Sequence, residues 1–297
     1  MKTSPECLPC FLHQALRVAR LQNCSEQQSL AILQAVSAVI TTADTEKSPP
    51  ANAIAVYDTI ASISGVTDPY YQLKRQENAR ALALLPSLRT EVRSAENPLL
   101  AALGFAIAGN IIDYGAMASF DVEEMFAKSR DLQFSIDHRN WFLQKLETLE
   151  PGDRILYLTD NCGEIVYDAL LVELLAERGF RVTVAVRGAP IINDALKEDA
   201  LEAGLDRYAR IITNGTACPG TPLENCSEEF LHHFHQAEMV ISKGQGNFET
   251  LSDTQREIFF LLTVKCKMVG KHLADISDNV PTLIGNGEMV VYHSRLK

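Results

Sequence analysis

From residue 154 onward, short runs of β-branched and aliphatic residues alternate with longer segments of helical periodicity. Five of these runs are candidate strands: Ile155–Thr159, Val182–Val186, Ile211–Thr213, Met239–Ser242 and Phe259–Val264. The amphipathic segment Cys162–Arg178 between the first two is long enough for a crossover helix. This alternation predicts an α/β fold with a doubly wound parallel sheet. Two further short strands are expected at 280–284 and 289–292, joined by a turn at Asn286-Gly287.

The first half of the chain predicts helices and no strand. Only four of the 16 glycines lie in residues 1–150, and helices avoid internal glycine. Apolar residues recur at helical spacing, for example over 30–40 and 99–112. Proline-containing breaks are expected at Pro49-Pro50, Asp68-Pro69, Pro86 and Asn97-Pro98. We therefore expect a helical domain over residues 1–150 and an α/β domain over 151–297, with the boundary at Pro151-Gly152.

Composition excludes several classes of function. The net charge is −11 and no basic block is present, which argues against nucleic acid and anionic membranes as partners. The first residues lack the apolar run of a signal peptide, and the longest charge-free apolar stretch, Leu99–Ile112, is too short to span a bilayer. An odd count of seven cysteines suggests a reducing compartment. We expect a cytoplasmic protein, and the sequence does not indicate its oligomeric state.

Acidic and amide side chains follow two of the predicted strands. Asp160 and Asn161 come directly after the first strand, and Asp194 follows the second. Parallel sheets bind ligands at the carboxyl ends of their strands, and oxygen ligands of this kind suit Mg²⁺ or Mn²⁺. No Gly-x-Gly-x-x-Gly follows the first strand, so a dinucleotide site is not indicated. The alternative is that Asp160 and Asp194 only cap the following helices.

A lysine lies on a glycine-containing turn after the fourth strand. Lys243 precedes Gly244 and Gly246, and such a turn lets backbone amides approach an anion such as phosphate. A phosphate monoester carries about −2 charge, and each uncompensated carboxylate–phosphate pair would cost roughly 4 kcal/mol at 4 Å. A site with two carboxylates would therefore bind phosphate only together with a cation.

These motifs resemble those of the metal-dependent damage-control phosphatase family, long catalogued as a domain of unknown function. In the second half, the matching motifs are Asp160-Asn161-x-Gly163-Glu164, Asn193-Asp194 and Ser242-Lys243-Gly244-x-Gly246-Asn247-x-Glu249. In the first half they are Asp68-Pro69-Tyr70 with Lys74, and Ala108-Gly109-Asn110-x-Ile112-Asp113-x-Gly115. Cys7-x-x-Cys10 and Lys265-Cys266 are similar to the branch found mostly in prokaryotes. Nearly the whole chain is covered.

The resemblance implies a helical domain packed on a Rossmann-like domain, with a divalent metal ion at the junction. The implied metal ligands are Asp160, Asn161 and Asp194. The residues implied to bind substrate are Asn110, Asp113, Glu164, Lys243, Gly244 and Asn247. Family members hydrolyse sugar phosphates and damaged or surplus phosphometabolites, commonly with Mn²⁺, Co²⁺, Ni²⁺ or Mg²⁺. The substrate of this chain, and the effect of Cys162 on metal preference, are not implied.

The resemblance also suggests catalytic roles. Metal-activated water would attack phosphorus, with Asp160 holding the ion and Lys243 stabilising charge on the phosphoryl oxygens. Asp113 is the expected acceptor of the water's proton. A non-catalytic binding protein for a metal or phosphometabolite would use the same ligands. An S-adenosylmethionine-dependent methyltransferase is the other alternative, although glycines would then be expected after the first strand.

Cys7 and Cys10 are a possible second, thiol site. Two thiols at this spacing can form a disulfide or half of a zinc site. His13 and Cys266 are conceivable further ligands. The alternative is two partly buried cysteines at the start of the first helix.

Overall fold

The structure is a computed structural model that describes residues 1–109, 133–277 and 283–294. Its helices are α1 (Cys7–Leu21), α2 (Glu26–Ile40), α3 (Pro49–Ser64), α4 (Tyr71–Ser94), α5 (Pro98–Ala108), α6 (Arg139–Glu147), α7 (Glu164–Glu177), α8 (Lys197–Glu202), α9 (Glu228–Gln236), α10 (Gln245–Leu251) and α11 (Lys267–Ile276). Its strands are β1 (Phe134–Asp137), β2 (Arg154–Leu158), β3 (Arg181–Val186), β4 (Ala209–Thr213), β5 (Met239–Lys243), β6 (Ile258–Val264) and β7 (Glu288–Ser294). Short 3₁₀ turns lie at Leu205–Arg207 and Leu223–Asn225.

The seven strands form one sheet in the order β1-β7-β6-β5-β2-β3-β4. All neighbouring strands are parallel except the antiparallel pair β6–β7. The chain winds from β2 outward through β3 and β4 on one side, and β5 and β6 lie on the other side. The predicted α/β class and the five predicted strands are therefore confirmed, and the predicted crossover helix is α7.

Local sequence explains where the first helices begin and end. Ser25 caps α2 in a capping box with Gln28, and the Ser48 hydroxyl caps α3 just before its two N-terminal prolines. Gly65 ends α3 in the left-handed conformation at φ 71°. Asn97 caps α5 ahead of Pro98.

Two details of the sequence prediction are wrong. A strand does precede residue 154, because β1 pairs with β7 at the edge of the sheet. Pro86 does not break a helix but lies inside α4. The helix continues through this proline because Leu85, Leu88 and Val92 on either side of it are buried in the core, and that burial outweighs one lost backbone hydrogen bond.

The C-terminal strand pair is confirmed in one member. The predicted strand at 289–292 lies within β7. Of the other predicted strand, residues 280–282 lie outside the described ranges, and Leu283 and Ile284 are not in a strand.

Three hydrophobic clusters organise the packing. One joins α4, α5 and α7 to one face of the sheet, and a second covers the other face with α9, α10 and α11. The third lies among α1, α2 and α3, and Ile192 of the β3–α8 loop packs against it. The helices of the first half contact the sheet region through α7, through this loop, and through α10, which α3 contacts, and α5 also contacts β6 directly. No helix in the described parts of the chain is long and apolar enough to cross a membrane.

Candidate active site

The candidate site lies where the strand order reverses. β2 is flanked by β3 on one side and β5 on the other, and parallel sheets bind ligands in the crevice beyond such a switch point. Asp160 follows β2, Asp194 follows β3, and Lys243 ends β5. The structure thus brings together the three strand ends from which the sequence predicts a site.

Backbone hydrogen bonds hold the two aspartates side by side. Asn161 and Asp194 form an isolated antiparallel bridge. The Ala195 N–H donates to the Asp160 carbonyl at 2.8 Å, and the Cys162 N–H donates to the Asn193 carbonyl at 2.9 Å. Both carboxylates are buried, with 7% and 3% of Asp160 and Asp194 exposed. The two residues therefore form one preorganised acidic pair rather than two separate helix caps.

Arg187 does not fully offset the electrostatic cost of burying this pair. Burial, the Asp194 carboxylate and the Glu164 carboxylate raise the pKa of Asp160 to about 7. Burial also raises the pKa of Asp194, although Arg187 opposes this. Burial disfavours the charged form of both groups, and the Asp194 carboxylate also disfavours ionisation of Asp160, so additional positive charge at this place would stabilise both.

Arg187, directly after β3, is a site residue that the sequence analysis missed. It is only 3% exposed. Its Nε donates to Asp194 Oδ2 at 2.6 Å, and its Nη1 donates to Asn247 Oδ1 at 2.9 Å and to Thr221 Oγ1 at 3.1 Å. Its Nη2 lies 3.8 Å from Asp160 Oδ1 and has no hydrogen-bond partner within the described ranges. The sequence signal that could have identified Arg187 was a positively charged residue directly after a predicted apolar strand.

Lys243 is fully buried in a network of its own. Its Nζ donates to Glu164 Oε1, to Asp168 Oδ1 at 2.7 Å and to the Ala106 carbonyl of α5 at 2.6 Å. The Tyr157 hydroxyl also donates to Asp168 Oδ1, at 2.7 Å. All three ammonium protons therefore have acceptors here, and contact with a phosphate would require Lys243 to give one up. Asp168 was also missed by the sequence analysis.

The lysine network reaches the aspartate pair through Glu164 and Asn161. The Asn161 Nδ2 donates to Asp160 Oδ2 at 2.7 Å and to Glu164 Oε2 at 3.2 Å. Lys243 holds the other oxygen of Glu164. Glu164 thus connects the buried ammonium to the amide of Asn161, and this fixes the orientation of that amide.

Asn247 and Gly244 both make hydrogen bonds to other residues of the protein. The Asn247 Nδ2 donates to the carbonyls of Thr159 and Lys243 at 3.0 and 2.8 Å, and its Oδ1 accepts from Arg187 and Thr221. The Gly244 N–H donates to the Leu261 carbonyl at 3.0 Å. Asn247 therefore positions the β2 end and the guanidinium.

Gly244 lies directly against the Asp160 carboxylate. A Cβ at this position would be 2.1 Å from Asp160 Cγ, and the backbone is left-handed at φ 80°. We expect Gly244→Ala to displace the carboxylate and lower activity at least about tenfold, in addition to a strain of about 1–2 kcal/mol. Gly65→Ala is the control, because Gly65 has φ 71° and nothing within 4 Å of its Cβ position. Equal activity of the two variants would contradict this reading of the contact.

The helical half contacts the same turn through α4. Asn78 is buried, and its Oδ1 accepts from the Gly163 N–H at 2.7 Å while its Nδ2 donates to Asp199 Oδ1 at 2.7 Å. The Cys162 thiol donates to Glu77 Oε2 at 3.1 Å. These bonds tie α4 to the segment that carries Asp160 and Asn161.

Two predicted site residues cannot be placed. Asn110 and Asp113 lie in the range 110–132, outside the described residues. Their predicted roles in substrate binding, and that of Asp113 in proton transfer, stay predictions.

The predicted thiol site lies near the start of α1. The Cys7 thiol is 3.5 Å from the Ser4 hydroxyl, and the exposed Cys10 thiol donates to the Glu6 carbonyl at 3.6 Å. All seven cysteines are free thiols. Burial raises the pKa of the Cys10 and Cys266 thiols, and the nearby Cys7 thiol raises both further. Over residues 1–109, 133–277 and 283–294, no group of three or more His, Cys, Asp or Glu side chains is placed to hold a metal ion.

Comparison with known proteins identifies the family. The family described as "Damage-control phosphatase ARMT1-like domain" matches residues 3–280. The chain is similar to the damage-control phosphatase PH1575 of Pyrococcus horikoshii, with 35% identity over 282 residues that cover 92% of this chain and 94% of that protein. It is also 34% identical over 298 residues to a damage-control phosphatase of Archaeoglobus fulgidus, covering 96% of this chain and 98% of that protein.

A solved structure has the same fold. The crystal structure of a DUF89 family protein, PH1575 from Pyrococcus horikoshii, matches with a TM-score of 0.89 and 30% sequence identity. The match covers 99% of this chain and 100% of that one. The resemblance read from the motifs is therefore confirmed, while assignment to the branch with the N-terminal cysteine pair stays a prediction. The chain belongs to the ARMT1-like damage-control phosphatase family.

Proposed function

We propose that this chain is a divalent-metal-dependent phosphatase that hydrolyses small phosphorylated metabolites. The observation that carries the proposal is the buried pair Asp160 and Asp194 beside Arg187, whose Nη2 lies 3.8 Å from Asp160 Oδ1 and has no hydrogen-bond partner in the described part of the chain. Membership of a family whose relatives are named damage-control phosphatases supports the phosphatase reaction.

The residues of this site fit a hard divalent cation. Asp160, Asn161 and Asp194 offer two carboxylates and one amide oxygen, which suit Mg²⁺, Mn²⁺, Co²⁺ or Ni²⁺. The described side-chain hydrogen bonds of Asn161 use only its Nδ2, so its Oδ1 remains available as a ligand. Arg187 bonds to Oδ2 of Asp194, which leaves Oδ1. The raised pKa of both carboxyl groups supports the same reading, because a cation would offset the cost of burying their charged forms.

When bound, a divalent cation polarises the phosphoryl group and makes a neighbouring water more acidic. Arg187 would then bind an equatorial phosphoryl oxygen through Nη2, since a guanidinium suits planar recognition of phosphate. Its bonds to Asn247 and Thr221 hold it in place, so little reorganisation is needed when charge develops on the phosphoryl oxygens.

We propose that Lys243 holds Glu164 in position, in addition to its predicted contact with the substrate. Its ammonium compensates two buried carboxylates, Glu164 and Asp168, and so keeps Glu164 against Asn161. The predicted direct contact of Lys243 with phosphate stays a prediction. In the overall reaction, water oxygen bonds to phosphorus, the bond to the ester oxygen breaks, and one proton moves to the departing alcohol. A base, for which Asp113 is the predicted residue, takes this proton from the water and passes it on, and the water's other proton stays on the released phosphate.

The test is phosphate release by EDTA-treated protein supplied with each metal in turn. We expect no release without metal, and turnover of p-nitrophenyl phosphate and of sugar phosphates with Mn²⁺, Co²⁺, Ni²⁺ or Mg²⁺. The relative rates across the substrate panel would indicate the substrate class.

We expect the protein in the cytoplasm, because its seven free thiols fit a reducing compartment.

Two results would contradict the phosphatase proposal. Folded, metal-loaded protein that binds phosphate without turnover would indicate a non-catalytic binding protein. Methyl transfer from S-adenosylmethionine in place of hydrolysis would indicate a methyltransferase, for which the Asp160-Asn161 end of β2 is poorly suited.

A further inference from the structure

We propose that a cavity at the edge of the sheet opposite the acidic pair is a second binding site, which takes a small organic anion with an apolar portion. The cavity has a volume of about 400 Å³, a size at which proteins bind small molecules. None of its described lining residues belongs to the candidate active site, so binding here is independent of the proposed phosphatase reaction.

The cavity lies where β5 and β6 begin. Glu238 directly precedes β5 and Glu257 directly precedes β6, and both line the cavity. The two strands are parallel neighbours, so they begin at the same edge of the sheet. Lys243, at the other end of β5, belongs to the network around the acidic pair. The five residues of β5 separate its two ends by roughly 16 Å, so a molecule in this cavity does not reach Asp160 or Asp194.

The wall of the cavity contains an arginine without a charge partner. Arg256 is half-buried and lines the cavity. Its Nε is buried without a hydrogen-bond partner, and its terminal nitrogens make no hydrogen bond or ion pair in the described part of the chain. Acidic residues are not scarce, since 38 of them stand against 27 lysines and arginines. An anionic ligand would supply the missing partner through charge-assisted hydrogen bonds.

Other arginines of this protein do have such partners. Within the described ranges, seven of them pair with carboxylates at 2.5–2.9 Å, namely Arg75, Arg89, Arg93, Arg139, Arg154, Arg187 and Arg210. An unpaired, half-buried guanidinium that lines a cavity therefore differs from the usual environment of an arginine in this fold.

The two carboxylates of the wall are paired with other residues. Arg154 donates from Nε to Glu238 Oε2 at 3.1 Å and from Nη2 to Glu238 Oε1 at 2.6 Å. Glu257 Oε1 lies 2.6 Å from His293 Nε2, and its Oε2 lies 3.3 Å from Lys145 Nζ. All four carboxylate oxygens are thus engaged, and the uncompensated charge of the wall is that of the guanidinium.

The cavity also has room and a surface for an apolar group. Leu223 is half-buried and Phe234 of α9 is almost fully buried, and both line the cavity. The remaining described lining residues, His235, Thr254 and Gln255, add no further carboxylate. A volume of 400 Å³ corresponds to about 13 water molecules at about 30 Å³ each. One ring and its acid group therefore fit, with the acid group on the guanidinium and the ring against the apolar side chains.

The test follows the binding of fluorinated ligands to EDTA-treated full-length protein by ¹⁹F NMR. Without metal, the acidic pair is expected to repel anions, so bound anion reports on this cavity. We expect 4-fluorobenzoate to bind wild type, and 4-fluorobenzamide and trifluoroacetate each to bind at least about tenfold more weakly. The amide lacks the charge, and trifluoroacetate lacks the ring.

Variants of Arg256 locate the site. Arg256→Gln should weaken 4-fluorobenzoate at least about tenfold and leave 4-fluorobenzamide unchanged, whereas Arg256→Lys keeps the charge and should bind the acid more tightly than Arg256→Gln does. Arg207→Gln makes the same change at an exposed arginine that does not line the cavity and should bind like wild type. Thermal midpoints check that the variants are folded, and the comparison of acid with amide in wild type needs no variant.

A third ligand, 4-fluorophenylphosphonate, identifies the acid group that the site prefers. If it binds more tightly than 4-fluorobenzoate and is weakened by Arg256→Gln, the natural ligand carries a phosphate, and the opposite order indicates a carboxylate; either result upholds the site. Equal binding of acid and amide to wild type, equal binding of 4-fluorobenzoate to wild type and Arg256→Gln, or no binding of either acid would overturn the proposal. An equal loss in Arg207→Gln would also overturn it, because the effect would then be one of net charge.

Discussion

Replacing Asp160 with asparagine is expected to lower phosphatase turnover at least about 10³-fold without loss of the fold. Asparagine has the same shape but removes one of the two buried charges proposed to hold the cation. Burial and neighbouring carboxylates raise the pKa of Asp160 to about 7, so its charged form destabilises the metal-free protein near and above that pH. We therefore expect the thermal midpoint of metal-free Asp160→Asn at pH 8 to equal or exceed that of wild type.

The measurement is turnover of p-nitrophenyl phosphate with saturating Mn²⁺, together with thermal unfolding of the EDTA-treated proteins. Asp206→Asn makes the same chemical change at an exposed residue and should retain wild-type values. Wild-type turnover by Asp160→Asn would place the reaction elsewhere. Loss of turnover accompanied by unfolding would mean that Asp160 is structural.

Arg187→Lys is expected to lower kcat/KM about 10²-fold and to weaken inhibition by inorganic phosphate. Lysine keeps the positive charge beside Asp194, but it cannot make the separate bonds that Nε and Nη1 make while leaving Nη2 for phosphate. Removing one preorganised donor to a developing oxyanion typically costs 10²–10³-fold. Retained charge should keep the fold, whereas a neutral residue would leave two buried carboxylates uncompensated.

Steady-state kinetics and phosphate inhibition constants test this role, with calorimetry of Mn²⁺ binding as a separate readout. Manganese affinity should be equal or higher in Arg187→Lys, because the proposed role of the guanidinium is to bind phosphate. An unchanged kcat/KM and phosphate inhibition constant would remove Arg187 from the substrate site. Weakened Mn²⁺ binding alone would indicate that it only positions Asp194.

The second half of the fold was largely predictable because its strands are short apolar runs separated by long helical segments. β1 was missed because it is a four-residue edge strand, and so short a run carries little periodicity. Pro86 was misjudged because a local rule was applied where buried neighbours decide the outcome. The order of strands depends on long-range packing that no local pattern reports.

The acidic pair was predictable for a topological reason. Asp160 and Asp194 each follow a parallel strand, and β2 and β3 are neighbours, so the two carboxylates had to meet at one edge of the sheet. The direction in which a long side chain points is not predictable in this way. Lys243 was predicted to contact phosphate, and this stays a prediction, but its pairing with the buried Glu164 and Asp168 was not predicted. Arg187 was missed because sequence alone does not distinguish a buried guanidinium from a solvated one.

The measurement that tests the central claim most directly is the binding of inorganic phosphate with and without metal. Phosphate is titrated by calorimetry into EDTA-treated protein and into the same protein loaded with Mn²⁺. We predict binding only in the presence of Mn²⁺, because the single charge of Arg187 does not balance two carboxylates, and phosphate would be repelled by roughly 4 kcal/mol for each uncompensated carboxylate–phosphate pair. By linkage, phosphate should tighten Mn²⁺ binding by the same factor. Equal affinity for phosphate in both samples would contradict a site in which Asp160 and Asp194 bind substrate through a cation.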